Sequence, residues 1–220
     1  MNMCLLSYCE RKERRLTALK NRIERMKMQC LGIGPLMLLP FLANYLFLPL
    51  SIYLLSLRAS EDAVATFAWK ELSIFFPLMS VWWILLLLER RMQEQGEIFF
   101  LYERTGWLDV LLYYVLYVLV FFPLCIWFMN QWSDMIWFYN YLDLLGEAFF
   151  LSCWVYLLCH MSGAIVAPFI TVLVFSLFLD GRLYMYLERY GMDAWLSAGG
   201  YMVVGILCLL LGMTFQNVHR

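Results

Sequence analysis

Six long apolar stretches alternate with short polar ones along this chain. They run from about Leu31 to Leu57, Leu72 to Leu88, Val110 to Met129, Leu144 to Cys159, Ala164 to Leu179 and Leu196 to Phe215. A helix crosses the hydrocarbon core of a bilayer with about 20 apolar residues, so each stretch predicts a membrane span. Pro35, Pro40 and Pro49 interrupt the first span, and Pro77, Pro123 and Pro168 lie inside the second, third and fifth. Proline removes a backbone donor and kinks a helix. Spans tolerate it where neighbouring groups satisfy the freed carbonyl. The expected fold is therefore all-α, an integral membrane protein with six transmembrane helices.

A different pattern precedes the first span. Over Glu10 to Gln29, apolar residues recur at Leu16, Leu19, Ile23 and Met26, one stripe of a helix. Arg11, Lys12, Arg14, Arg15, Lys20, Arg22, Arg25 and Lys27 cover the rest of it. A basic helix with a narrow apolar stripe suits the membrane interface, although a solvated helix has the same pattern. The expected organisation is an interfacial amphipathic helix within residues 1–30 and a six-span domain over 31–220. Between spans, Arg58 to Glu71 is a polar connection. Asn130 to Asp143 carries Trp132, Trp137, Tyr139 and Tyr141, a density that fits an interfacial aromatic belt. His160 to Gly163 is a tight break, and an outer connection covers about residues 180–195.

Six spans leave both termini on one side, and charge decides which. The eight basic residues of the first segment share a side with Arg90, Arg91, Arg104 and Arg220. Only Arg58, Lys70, Arg182 and Arg189 fall on the other. Both termini are therefore expected in the cytoplasm, with the protein multi-pass in the cell inner (cytoplasmic) membrane.

Composition agrees. Hydrophobic residues make up 64% of the chain and charged residues 15%, with mean hydropathy +0.71. That is beyond the range of soluble domains. A net charge of -1 gives no reason to expect a nucleic-acid partner. Of the 7 cysteines, Cys4, Cys9 and Cys30 lie in the basic N-terminal segment; Cys125, Cys153, Cys159 and Cys208 lie in apolar spans. None falls in an outer loop, so no disulfide framework is expected. The N-terminus does not read as a signal peptide, because charge follows its short apolar piece, Met3 to Tyr8.

Little in the chain points to catalysis. It has no G-x-x-x-x-G-K-[ST], G-x-G-x-x-G or H-E-x-x-H motif. No catalytic residue, cofactor or metal ligand set is expected. His160 and Ser162 are too close in sequence, at a break between spans, to make a convincing nucleophile and base. Glu147 is the sharpest ionisable residue within a span. Intramembrane acids line cavities or pair with partners, so it either contributes to a translocation path or sits at the span's outer edge near Asp143. Ala198, Gly205 and Gly212 recur at sevenfold spacing in the sixth span. Small residues on one face allow close helix approach, within the chain or between subunits.

The most distinctive segment is Glu89 to Asp109, a charged loop with the apolar run Ile98, Phe99, Phe100, Leu101 and Tyr102 in its middle. A short helix here cannot hide every bulky side chain. Some are buried against the protein or the lipid interface, and others dock into a partner's groove.

The layout resembles the small six-span permeases of type-2 ATP-binding-cassette exporters. Three features carry the resemblance: the basic helix before the first span, the segment GEIFFLYERTGWLDVLLYY between the second and third spans, and DGRLYMYLERYGMDAW between the fifth and sixth. The resemblance implies that the second feature is a coupling helix for a separate ATPase. Gly96 and Glu97 would lead in, and Ile98, Phe99, Phe100, Leu101, Tyr102 and Glu103 would contact the ATPase, with Arg104 completing the docking segment. It implies two permease chains, as homodimer or homologous heterodimer, with ATP and Mg bound only by the partner ATPase subunits. With 18% aromatic residues and few buried charges, the path would suit an apolar or amphipathic cargo such as a peptide or lipid. The alternative is a non-transporting immunity or assembly factor that binds a partner through the same loop.

Overall fold

The computed structural model describes residue 24 and residues 34–95, 106–131, 136–176 and 194–218. These residues are helical apart from short turns, with no strand among them. The chain divides into two compact units, Met1–Leu39 and Pro40–Arg220. In the first, Glu24 is helical and Gly34–Leu38 forms a 3₁₀ turn. The rest of the expected Glu10–Gln29 helix lies outside the described residues.

We number the helices α1 (Gly34–Ser56), α2 (Glu61–Gln95), α3 (Gly106–Gln131), α4 (Ile136–Ser162), α5 (Val166–Val174) and α6 (Ala194–Val218). Among the described residues, five helices are long and apolar enough to cross a membrane. The five stretches are Gly34–Ser56, Ala63–Glu89, Gly106–Phe128, Tyr141–Ser162 and Ser197–Gln216. The stretch expected as the fifth span contains α5, nine residues long, and two further helical residues. Residues 177–193, which include most of the outer connection, lie outside the described set.

Two helices begin well before the polar pattern implies. α2 starts at Glu61 rather than Leu72, because Val64, Ala68, Leu72 and Phe76 form one buried stripe at helical spacing. Lys70 is exposed, so the charge in the expected connection does not break the helix. α4 starts at Ile136, within the expected aromatic connection. It ends where Gly163, at φ +63, donates its N–H to the Cys159 carbonyl at 3.0 Å. A left-handed residue there ends a helix, and glycine adopts that conformation without a Cβ penalty. This is the break expected at His160–Gly163.

α2 and α4 form the centre. In their apolar windows 67% and 61% of residues are buried, against 22% in α1, 33% in α3 and 28% in α6. The outer helices expose apolar side chains, among them Leu46, Leu50, Leu54, Leu119, Phe122, Val203, Ile206 and Leu210. So much exposed apolar surface suits hydrocarbon rather than water.

Side-chain pairs set the helix directions. Asp143 meets Ser197, Gly146 meets Ala198, Phe149 and Phe150 meet Gly205, and Tyr156 meets Gly212 and Gln216. The numbers rise together, so α4 and α6 are parallel. α3 is antiparallel to α4, since Tyr114 pairs with Phe149 and Phe122 with Tyr141. α1 is antiparallel to α2, since Phe41 pairs with Trp83 and Phe47 with Phe75. α5 follows the end of α4 and by Phe175 has returned to the level of Phe150, so it runs back along α4.

This register is testable by cross-linking. With the native cysteines replaced, Asp143→Cys with Ser197→Cys is expected to form a disulfide under mild oxidation. Asp143→Cys with Gln216→Cys is not. Linkage in the second pair only, read by mass spectrometry of the peptides, would mean antiparallel packing.

Candidate functional site: a polar layer inside the helix bundle

Proline shapes the first part of the site. In α1 the Leu48 N–H donates to the Ala43 carbonyl, five residues back, so Leu42–Phe47 is a π-helical turn. Pro49 follows directly. Its ring would crowd the carbonyl four residues back and it has no N–H to give. A wider turn relieves that crowding, and such bulges recur at functional sites.

The bulge carries Asn44, which is fully buried. Its side-chain amide donates to the Pro40 carbonyl at 3.1 Å and to the Tyr117 hydroxyl at 3.2 Å. Tyr117, also fully buried, donates onward to the Phe76 carbonyl at 2.8 Å. One hydrogen-bond chain thus ties α1, α3 and α2. Aromatic rings surround it: Tyr117 lies against Phe121 at 4.5 Å and Phe76 at 5.2 Å between ring centres. Tyr45 adds a bond to the Val120 carbonyl at 2.6 Å. The Asn44 Oδ1 has no hydrogen-bond partner among the described residues.

A second polar group lies between α2 and α4. Ser152 donates to the Ala148 carbonyl at 2.6 Å, and Ser80 reaches the same oxygen at 3.5 Å while donating to the Pro77 carbonyl at 2.6 Å. Glu147 is next to Ala148 and only 2% exposed. It lies within the apolar stretch Tyr141–Ser162. Successive helical residues turn by about 100°. Glu147 therefore sits between the stripe facing α6, at Gly146, and the stripe facing α2, at Ala148. It is the one Asp or Glu among the described residues that is fully buried.

The α4–α6 contact fixes that position. A Cβ added at Gly146 would stand 2.9 Å from the Ala198 carbonyl oxygen. Added at Gly205 it would stand 2.8 Å from the Phe149 ring, and at Gly212 2.7 Å from the Tyr156 ring. Ala198, Gly205 and Gly212 thus line the face of α6 that lies on α4. Gly199 and Gly200 have nothing within 4 Å of an added Cβ.

The remaining candidates are elsewhere. Gly96, Glu97, Ile98, Phe99, Phe100, Leu101, Tyr102, Glu103 and Arg104 lie outside the described residues. His160 bonds the Tyr156 carbonyl at 2.8 Å, and Ser162 donates to the Leu158 carbonyl at 2.7 Å and the Ala164 carbonyl at 3.0 Å. Both are engaged with backbone near the end of α4. Asn44, Tyr117 and Gly146 are not singled out by the sequence pattern. The signal for Asn44 is that it is the one amide side chain within the first apolar stretch. Among the described residues, no group of three or more His, Cys, Asp or Glu is placed to hold a metal ion. No family model, curated protein or solved structure matches the chain.

Two substitutions probe the packing. Tyr117→Phe removes the bridge between Asn44 and Phe76, and a cost of about 1 kcal/mol is expected for an interhelical bond of this kind. Gly146→Val pushes two helices apart, and about 1–3 kcal/mol is expected from overpacking. Thermal unfolding in detergent reads both. The glycine variant is expected to be the less stable.

Proposed function

We propose that this chain is the permease subunit of an ATP-binding-cassette transporter, an exporter in the cell inner membrane. Two such chains, identical or homologous, would pair to form the path, and separate ATPase subunits would drive it. The six-span arrangement is supported by the parallel packing of α4 and α6. Parallel neighbours that both cross the bilayer need a third crossing between them, and α5 runs in the required direction. With six crossings both termini share a side, and the basic bias of the N-terminal segment favours the cytoplasm for it. The basic helix before the first span would then lie along the inner interface.

The observation that carries the transport reading is the reach of α2. Its apolar stretch ends at Glu89, yet the helix continues to Gln95. Six more residues add about 9 Å at the rise of an α-helix. α2 therefore ends beyond its apolar stretch, and the segment Gly96–Arg104 follows it in sequence; with that side in the cytoplasm, Ile98–Tyr102 would be the docking residues for a soluble ATPase. Glu147 and the polar layer supply the few polar groups of a path for apolar or amphipathic cargo. An ATPase driving this loop would push the helices between two packed arrangements.

Replacing Phe99 and Phe100 by Asp is expected to weaken association with a co-expressed ATPase about tenfold or more, as loss of buried aromatic anchors does. ATP turnover stimulated by the permease is expected to fall with it. Co-purification and turnover unchanged from wild type would overturn the docking role. Glu147→Gln is expected to leave ATPase association intact and to change transport in vesicles. Unchanged transport would remove Glu147 from the path.

A further inference from the structure

A half-open groove of about 610 Å³ lies at one end of α1, α2 and α3. Its lining comprises Pro49, Ile52, Tyr53 and Ser56 of α1, Ala59 in the turn, Glu61 and Val64 of α2, and Trp127 of α3. Ile52 and Val64 are buried and form its apolar floor. Tyr53 is 61% exposed and Trp127 43% exposed. Among the described residues, the lining contains one charged side chain, the Glu61 carboxylate, and no Lys or Arg. The groove lies on the opposite end of α2 from the segment 96–104, so it has no part in ATPase docking.

Its depth is set by the helices. α1's apolar stretch ends at Ser56, α2's begins at Ala63 and α3's ends at Phe128. All three limits coincide with the groove, which places it where hydrocarbon gives way to headgroups. Tyrosine and tryptophan favour that level. Glu61 lines the same groove as Tyr53 and Trp127, and a carboxylate with aromatic rings in one groove attracts a cation, since the ring faces are negative. The apolar floor of Ile52 and Val64 suits an acyl chain. One simpler role for Glu61 is to balance the helix dipole at the start of α2. That role accounts for its charge but not for the aromatic pair or the apolar floor.

We infer that this groove binds a phospholipid with an ammonium-bearing headgroup, the amine at Glu61, Tyr53 and Trp127 and a chain over Ile52 and Val64. The site holds the lipid by its amine, so it discriminates headgroups and not chains. It makes no use of Glu147 or the 96–104 segment and holds whether or not the chain transports anything.

The test uses the full chain reconstituted in nanodiscs of equimolar phosphatidylethanolamine and phosphatidylglycerol with matched acyl chains. Lipids retained after release into detergent are counted by native mass spectrometry. The expected result is preferential retention of the ethanolamine lipid. Glu61→Gln and Trp127→Leu are each expected to reduce that preference about fivefold, the scale of one cation–π or charge contact. Both positions lie at the groove rim, and thermal unfolding checks that each variant is folded. Equal retention of the two lipids by the wild-type protein would overturn the proposal, as would an unchanged preference in both folded variants. Displacement of the lipid by soluble phosphoethanolamine at millimolar concentration would equally reject a lipid site in favour of one for free amines.

Discussion

The close contact between α4 and α6 sets the arrangement of the other helices. Gly146 lets the Ala198 backbone approach, and Gly205 and Gly212 make room for the rings of Phe149 and Tyr156. In a bilayer there is little hydrophobic drive between helices, so shape-matched packing of this kind carries association. The contact also fixes direction. Two parallel neighbours cannot be joined by a short turn, and the chain must come back. α5 begins that return along α4, passing Trp82 at Phe169 and reaching Phe150 at Phe175. Glu147 adjoins Gly146, the α4 glycine at which an added Cβ would meet the Ala198 backbone.

Buried polar groups are the second constraint. Away from water an unmet donor or acceptor is costly. Four described hydroxyls accordingly bond carbonyls of their own or a neighbouring helix, although those of Tyr141 and Ser176 do not. Ser80 bonds Pro77, Ser152 bonds Ala148, Tyr117 bonds Phe76 and Tyr114 bonds Leu145. The amide of Asn44 makes the one described chain of bonds that links three helices. It does so from a π-helical turn, where the ordinary pattern of backbone bonds is already altered.

The spans are legible in the sequence because hydrocarbon imposes one rule on about 20 consecutive residues. Their ends are not, because an amphipathic stripe carries a helix beyond its apolar stretch. Val64 and Ala68 extend α2 back through the segment that holds Lys70 and Glu71, and only the buried face reveals it. The sevenfold spacing of Ala198, Gly205 and Gly212 is visible in one dimension. Gly146 has no such repeat on its own helix, and its role depends on which residue of α6 faces it. Tyr117 is one of several tyrosines in an aromatic-rich span, and nothing local distinguishes the one that meets Asn44. The start of α4 at Ile136, which puts Glu147 inside the helix rather than at its first turn, is likewise masked by the polar residues around Asp143.

α2 joins the two ends of the proposed mechanism. It is the most buried helix and contributes Phe76 and Ser80 to the polar layer, yet it runs on to Gln95 beside the segment 96–104. Pro77 stands between those two contributions and cannot donate to the Ser73 carbonyl. A force applied at the Gln95 end would therefore meet a weakened point next to the Asn44–Tyr117 node. The part of α2 beyond Pro77 packs on α1 through Trp83 and on α5 through Trp82. Bending there would shift those contacts together while leaving Val64 and Ala68 in place.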